Sequence, residues 1–296
     1  MQTTTDRTTP DSAEAVPCRC EPLQISVVRD LPALPAAVLE LLDMLGRDDI
    51  ETGTLAAKIS LDQALTAKTL RLANSSFYGV PRHVASVSEA TAVLGLRTVR
   101  TVVTAAALTG SFKPPACTGF DFMAFWRHAV STAVSARLVA TLVGADAEAA
   151  FTAGLLHDIG QLVLASGFPE RFSQVLAHQV ETGIELRDAE QALLGTDHAA
   201  VGKLVAEHWR FPEQIVAVIA EHHTPPATRG VGEMVHIVHV ADTLVLALEQ
   251  GAQGGEPVPA MCQATWAGMG LTADAWAEAF AETRAQTQTL CAALLN

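Results

Sequence analysis

The sequence contains little positive charge, few aromatic residues and no long uninterrupted hydrophobic segment. Its 296 residues include 19 Lys and Arg against 32 Asp and Glu, so the formal net charge is −13. A broad basic face for binding nucleic acid is disfavoured, because phosphate contacts need clustered Lys and Arg. The longest uncharged segment, residues 257–273, is interrupted by Pro and Gly and is shorter than the roughly 20 residues of a membrane helix. We expect a soluble, cytoplasmic protein without nucleic-acid or membrane partners.

Cysteine is scarce and forms no recognisable framework. The five cysteines are scattered, and no secretory signal precedes them, which indicates a reducing compartment. Cys18 and Cys20 have no second Cys or His pair at zinc-finger spacing, so a free pair is favoured over half of a metal site. The N-terminal residues are rich in Thr, Asp, Ser and Pro, and we expect residues 1–20 to form a disordered tail.

The hydrophobic residues follow a helical pattern. Abundant Ala, Leu and Val with only 5% aromatic residues favour packed helices over a β-sandwich, and helical spacing dominates from Leu31 onward. We therefore predict an all-α fold. Pro- and Gly-containing segments divide it into an N-terminal helical part at 21–116, a second helical part at 117–250, a linker at 251–271 and a C-terminal helix at 272–296.

Particular helices can be predicted within these parts. Phe122–Val143 is predicted to form a helix of six turns, and Asp146–His157 is predicted to form the next helix, closed by Gly160. The C-terminal helix is expected to pack on the second part, because Trp276 and Leu294 would otherwise be exposed. A dimer contact through this helix is the alternative.

Seven titratable residues in the second part are placed to face inward. His222 follows Val218 and Ile219 at helical spacing, and Asp242 also lies on an apolar helix face. Nitrogen and oxygen ligands from separate helices can converge on a divalent cation, and a mixed set suits Mn, Fe, Ni or Zn. Alternatively, the same groups form a hydrogen-bonded network that fixes helix packing without a metal. The seven are His128, His157, Asp158, His198, His222, His223 and Asp242.

The remaining histidines and motifs suggest no other chemistry. We find no phosphate-binding loop of the Walker type, no Gly-rich dinucleotide turn and no nucleophile elbow. The segment Asn74–Gly79 is interpreted as a capped helix end and interhelical loop, with partner contact as the alternative. Histidines outside the seven are expected to be surface or packing residues, and these are His83, His178, His208, His236 and His239.

An ordered set of motifs spans both halves of the chain. In the second half the motifs are Trp126–His128, Gly154–Gly160, His198–Gly202, Trp209–Pro212, His222–Pro225 and Ala241–Asp242. In the first half they are Leu31–Pro35, Leu70–Ser75 and Ala92–Leu96. Together these motifs resemble the HDOD family of the HD superfamily over about residues 31–242, and the ordered set is far more specific than the His-Asp-Ile-Gly motif alone.

The resemblance implies an N-terminal helical part packed on an HD-like part, and a regulatory role in bacterial signalling linked to response regulators or cyclic-di-GMP. Related HD phosphohydrolases bind metal through a His, His-Asp, Asp set, which corresponds here to His128, His157, Asp158 and Asp242. The HD-GYP phosphodiesterases add three histidines, which correspond to His198, His222 and His223.

Two departures from the HD-GYP pattern weaken an enzymatic interpretation. Gln161 replaces the Lys that can hold substrate phosphate, and a lost charge-assisted contact is worth about 1.5–3 kcal/mol. Thr224–Pro226 follows His223 in place of the longer Gly-Tyr-Pro segment. Our leading hypothesis is a stand-alone HDOD protein that binds signalling proteins without turnover, and a homodimer is left open.

Two alternatives remain at the level of the sequence. The first is a metal-dependent phosphohydrolase or phosphodiesterase, in which Asp158 accepts a proton from a metal-activated water and Gln161 contacts the substrate. The second is a metal or nucleotide sensor that binds its ligand without turnover.

Overall fold

The computed structural model describes residues 59, 62–228, 230, 232–253 and 261–295. The predicted tail at 1–20, with Cys18 and Cys20, lies outside this part of the chain. Within the described residues there are helices and no strand, which confirms the predicted all-α fold. The helices are α1 Gln63–Ala73, α2 Val87–Leu94, α3 Leu96–Ser111, α4 Phe122–Val143, α5 Ala147–Leu156, α6 Ile159–Gly167, α7 Pro169–Thr182, α8 Leu186–Leu194, α9 His198–His208, α10 Glu213–Glu221, α11 Met234–Gln253, α12 Gln263–Gly268 and α13 Ala273–Leu294. Among them, no helix combines the length and apolar character needed to cross a membrane.

Helix α4 forms the centre of the second part, and its ends are set by local sequence. The Asp121 side chain accepts hydrogen bonds from the backbone N–H groups of Met123 and Ala124, which caps the first turn. Gly144 ends the helix with a φ of +74°, a conformation that costs glycine little. Helices α5, α11 and α13 all pack against α4. The predicted bounds of this helix are therefore those observed.

Small residues allow the central helices to approach closely. Ala129, Ala133, Ala136 and Ala140 of α4 are completely buried. Opposite them on α5, a Cβ added to Gly154 would lie 2.9 Å from the Cα of Ala133. The backbones of α4 and α5 can pack at this distance only because side chains are absent from the contact.

The loop Asn74–Gly79 joins the N-terminal helices to the second part through contacts within the chain. The side-chain amide of Asn74 makes two hydrogen bonds to the backbone of Val84. Its Nδ2 donates to the Val84 carbonyl oxygen at 2.9 Å, and its Oδ1 accepts from the Val84 N–H at 2.8 Å. The Phe77 ring packs 6.1 Å from that of Phe151 in α5. The guanidinium of Arg137 in α4 lies over the same ring, 4.8 Å from its centre. These contacts agree with the interpretation of an interhelical loop.

The C-terminal helix packs as its apolar residues predicted. Helix α13 contacts α4, and it also contacts α1 of the N-terminal part. Leu294 is fully buried, and Trp276 stacks on Trp266 of α12 with ring centroids 4.1 Å apart. Helix α12 lies inside the segment 251–271, which the sequence predicted as a linker.

The helix predicted at Asp146–His157 ends within one residue of its predicted end, but the prediction that Gly160 closes it was wrong. Helix α5 ends at Leu156, and α6 begins at Ile159, so Gly160 lies in the first turn of a new helix. A Cβ at residue 160 would overlap the carbonyl oxygen of His198 and lie 2.9 Å from the backbone nitrogen of Gly202. This glycine therefore permits close approach of α6 and α9, rather than terminating a helix.

Gly160→Ala should strongly destabilise the protein, because the added methyl would force the backbones of α6 and α9 apart. We expect the free energy of unfolding to fall by about 3 kcal/mol, at the upper end of values for overpacked sites. Chemical denaturation measures this change. Gly110→Ala is the matched control, because a Cβ there meets only the end of Lys68 at 3.7 Å. Equal stability of the two variants would contradict the close-approach interpretation.

Candidate metal centre

The fold brings all seven candidate residues to one place. His128 is on α4, His157 and Asp158 lie at the junction of α5 and α6, and Asp242 is on α11. His198 is the first residue of α9, and His222 and His223 directly follow α10. The cluster thus joins segments separated by more than one hundred residues, and five of its seven members are buried, with His128 and His223 half-buried.

Ligand atoms of the cluster fall into two groups. The first group is His128, His157 and Asp242, and the second group is Asp158, His198, His222 and His223. Within each group, one ligand atom from every residue lies within 4.8 Å of the others. The spacing is that of side chains arranged around a common point, as metal ligands are.

Both groups are organised around a carboxylate oxygen. In the first group, Asp242 Oδ1 lies 3.0 Å from His128 Nε2 and 3.5 Å from His157 Nε2. In the second group, Asp158 Oδ1 lies 3.3 Å from His198 Nε2 and 3.4 Å from His222 Nε2. Each of these two carboxylate oxygens is therefore faced by two imidazole nitrogens from separate segments of the chain.

Asp158 connects the two groups, because its two oxygens point in different directions. Oδ1 faces the second group, whereas Oδ2 lies 3.3 Å from His157 Nε2 and 3.7 Å from His128 Nε2 of the first. A carboxylate in this position can bridge two metal ions. The geometry therefore suits either one ion or a pair.

Four histidines are held from outside the cluster through Nδ1. Nδ1 of His157 lies 2.7 Å from the carbonyl oxygen of Gly154, and Nδ1 of His222 lies 3.1 Å from the carbonyl oxygen of Ile219. In the other two histidines the acceptor is a carboxylate, Glu190 for His198 and Glu249 for His128. Because carbonyls and ionised carboxylates only accept hydrogen bonds, each Nδ1 carries a proton, and Nε2 is the nitrogen that can bind a cation.

Neither glutamate was identified from the sequence. Glu190 could have been noticed from its spacing, because it follows Leu186 by four residues and therefore lies on the buried face of a short amphipathic helix, where a carboxylate is unusual. Glu249 gave no such signal, because its side chain is 44% exposed.

Polar atoms inside the cluster have the chemistry that would suit a cation. Among the described residues, the buried atoms that lack a hydrogen-bond partner include His157 Nε2, His222 Nε2, Asp158 Oδ1 and Asp242 Oδ1. All four point into the cluster, and the ion-pair partners of both carboxylates in this part of the chain are histidines. Buried carboxylates are costly without a compensating charge. A divalent Mn, Fe, Ni or Zn ion would compensate them and suit the mixed ligands.

Protons compensate the same charges when no metal is bound. Burial alone would keep His157 and His198 neutral, but Asp158 raises the pKa of His157 to about 9, and Glu190 raises that of His198 to about 10. Burial, followed by the nearby His222 and His198, instead lowers the pKa of His223 to about 2. The cluster therefore holds some imidazoles charged and at least one neutral at pH 7.

Gln161 lies beside the cluster without supplying positive charge. Its Nε2 donates a 2.8 Å hydrogen bond to Asp158 Oδ2. The amide therefore orients the carboxylate that connects the two groups.

Two further buried histidines make hydrogen bonds within the core, which agrees with the packing role predicted for them. His239 Nδ1 donates to the carbonyl oxygen of His222 at 2.7 Å, and its Nε2 accepts from the backbone N–H of Cys262. His236 Nδ1 lies 2.7 Å from the Thr265 hydroxyl oxygen. Neither residue belongs to the two ligand groups.

Residues 31–225 match the HDOD domain. The chain belongs to the HDOD family. Three solved structures resemble it closely. An HDOD domain protein of unknown function from Geobacter sulfurreducens is 28% identical, with a TM-score of 0.77 over 92% of this chain and 97% of that one. A candidate phosphohydrolase from Shewanella amazonensis SB2B is 29% identical, with a TM-score of 0.74 over 91% of this chain and 97% of that one. A candidate signal transduction protein from Marinobacter aquaeolei VT8 is 25% identical, with a TM-score of 0.76 over 94% of this chain and 62% of that one.

A longer protein also matches this HDOD chain. An uncharacterized protein of Treponema pallidum (strain Nichols) is 28% identical over 201 residues, which are 67% of this chain. The match spans 39% of the length of the longer protein.

Metal binding to the HDOD cluster should release protons. His157 and His198, with pKa values of about 9 and about 10, carry protons on Nε2 at pH 7 that a metal ion must displace. We expect the calorimetric enthalpy of Mn²⁺ binding at pH 7 to depend on the ionisation enthalpy of the buffer, in the direction of proton release. An enthalpy independent of the buffer would contradict the protonated state of the metal-free cluster.

The metal-free protein should lose stability as the pH rises above 6.5. The pKa values of His157 and His198 are raised on folding, so their contribution is complete below the unfolded value of about 6.5 and is lost as the pH passes through about 9 and about 10. His222 and His223 have lowered pKa values, so well above pH 6.5 they are neutral in both the folded and the unfolded state and do not change the pH dependence of stability there.

Melting temperatures of chelator-treated and Mn²⁺-loaded protein between pH 6.5 and 10 measure this effect. We expect the gap between the two curves to widen with pH. Parallel curves would show that the buried imidazoles take up no extra protons on folding.

Proposed function

We propose that this HDOD protein acts in signalling, that its seven-residue cluster binds one or two divalent metal ions, and that it works through contacts with signalling proteins rather than by turnover. The observation that carries this proposal is the bridging position of Asp158 between two ligand groups, together with a neutral amide, Gln161, bonded to that carboxylate. The first feature favours metal binding, and the second disfavours capture of a phosphate.

Metal binding would couple distant parts of the HD-like fold. The ligands come from α4, from the junction of α5 and α6, from α9, from the end of α10 and from α11. An ion that contacts all of them stabilises one arrangement of these helices by mass action, because only the folded arrangement presents the complete set. Helix α4 also contacts α13, so the occupied state can be transmitted to the surface of the protein.

The surroundings of the cluster favour binding without turnover. An anionic substrate needs positive charge beyond the metal, yet the chain has a net charge of −13 and Gln161 supplies none. His198 Nε2 lies 2.7 Å from His223 Nε2, and both are close to Asp158, so little space separates the ligands of the second group. The likeness to the candidate signal transduction protein of Marinobacter supports a signalling role.

A metal-dependent phosphohydrolase is the second candidate. It is favoured by the complete set of seven ligands and by likeness to the candidate phosphohydrolase of Shewanella. A bound divalent ion would supply a nucleophilic hydroxide from water. Asp158, 3.3 Å from both His157 and His198, is the carboxylate placed to accept a proton.

His157→Ala should abolish stoichiometric metal binding, because it removes a fully buried ligand of the first group. The loss of affinity should exceed the roughly 10–100-fold typical of residues that only support a ligand. Elemental analysis of protein purified without chelator, for Fe, Mn, Ni and Zn, measures the bound metal. His83→Ala is the control, because this histidine is exposed and lies outside the cluster. Metal-free wild-type protein that also fails to take up these ions would overturn the proposal.

Hydrolysis assays on the same preparations separate the two candidates. Cyclic dinucleotides and simple phosphodiesters should remain intact with wild-type protein loaded with each metal. Metal-dependent hydrolysis that is lost in His157→Ala and retained in His83→Ala would establish the phosphohydrolase instead.

A further inference from the structure

Glu190 of α8 is a completely buried carboxylate outside the seven-residue cluster. Its Oε2 accepts a hydrogen bond from the backbone N–H of His198 at 2.8 Å and lies 2.7 Å from His198 Nδ1. In the described part of the chain, its Oε1 has no hydrogen-bond partner. The polar contacts of this carboxylate are therefore directed at one residue, which is a candidate ligand of the second group.

Packing alone gives no reason for a carboxylate at this position. The neighbouring buried residues of α8, Leu186, Ala189 and Leu194, are apolar. A buried anion is less favourable there than an apolar side chain of similar size, unless its charge has a use. His198 is the ion-pair partner of Glu190 within the described residues, so the use must involve that imidazole.

We propose that Glu190 is a positioning residue that holds His198 with a proton on Nδ1 and thereby directs the lone pair of Nε2 at the metal ion. This inference rests on the proposed metal binding. The two hydrogen bonds to Oε2 fix both the imidazole ring and the backbone at the start of α9. An acceptor carboxylate also increases the electron density of the imidazole and strengthens it as a ligand.

Glu190 improves the charge balance of the second group. Among its four residues only Asp158 is acidic, so the ligands alone supply one negative charge against the two positive charges of a divalent ion. Glu190 supplies a second negative charge, which acts on the ion through the imidazole of His198. The corresponding glutamate behind His128, Glu249, lies 3.2 Å away and is 44% exposed, so water competes for it. Glu190 is fully withdrawn from water, and its effect should be the larger.

Glu190→Gln tests the proposal in the full-length, chelator-treated protein. The amide oxygen can accept both hydrogen bonds of Oε2, whereas the negative charge is removed. We expect the affinity for at least one Mn²⁺ or Zn²⁺ ion, measured by calorimetry, to fall roughly 10–100-fold. Glu148→Gln is the matched control, because Glu148 pairs with Arg137 at 3.2 Å and lies in the first turn of α5, at the opposite end from His157. The metal affinity of this variant should equal that of the wild-type protein.

The outcomes separate this inference from the proposed function. If wild-type protein binds the ions and Glu190→Gln binds them equally well, Glu190 has only a structural role and the inference is overturned, while metal binding stands. If wild-type protein binds neither Mn²⁺ nor Zn²⁺, the proposed function and the inference fail together.

A measurement on wild-type protein covers the case in which Glu190→Gln does not fold. In protein labelled with ¹⁵N-histidine and loaded with Zn²⁺, long-range ¹H–¹⁵N spectra identify which ring nitrogen carries the proton. We expect a proton on Nδ1 of His198 and the metal on Nε2. Coordination of His198 through Nδ1, or a proton on Nε2, would overturn the positioning role.

Discussion

Burial of two carboxylates, Asp158 and Asp242, is the constraint on which the second part of this protein depends. Burying either carboxylate without a compensating charge would cost several kcal/mol. Among the residues that the structure describes, the ion-pair partners of both are histidine imidazoles. These imidazoles come from helices that are far apart in sequence, so the helices must meet at the carboxylates. Protons compensate the charge in the metal-free state, and a divalent cation can do so in their place.

Close packing of helix backbones makes this meeting sterically feasible. Gly160 allows the start of α9 to lie against α6, which places His198 3.3 Å from Asp158. Gly154 performs the same function for α5 against Ala133 of α4. The small residues of this family member therefore serve its polar cluster, because a single added methyl at either glycine would separate the helices that carry the ligands.

The distinction between a binding protein and an enzyme depends on the groups around the cluster rather than on the cluster itself. The seven candidate ligands are compatible with metal binding in either case. Gln161 bonds to the carboxylate that connects the two groups instead of offering a cation to a phosphate, and Glu190 adds buried negative charge behind His198. Both features would favour retention of a metal ion in the proposed site, and neither helps to attract an anionic substrate.

The sequence by itself determined the helical class, the bounds of α4 and the seven candidate ligands, because helical periodicity, capping residues and motif order are local properties. It did not reveal α6, since the break between α5 and α6 is only the two residues His157 and Asp158, and Gly160 resembles a helix end. Only the tertiary structure decided which oxygen of Asp158 faces which group, and that Glu190 supports His198. These relations depend on distances between separate helices, which close packing sets and which no local pattern encodes.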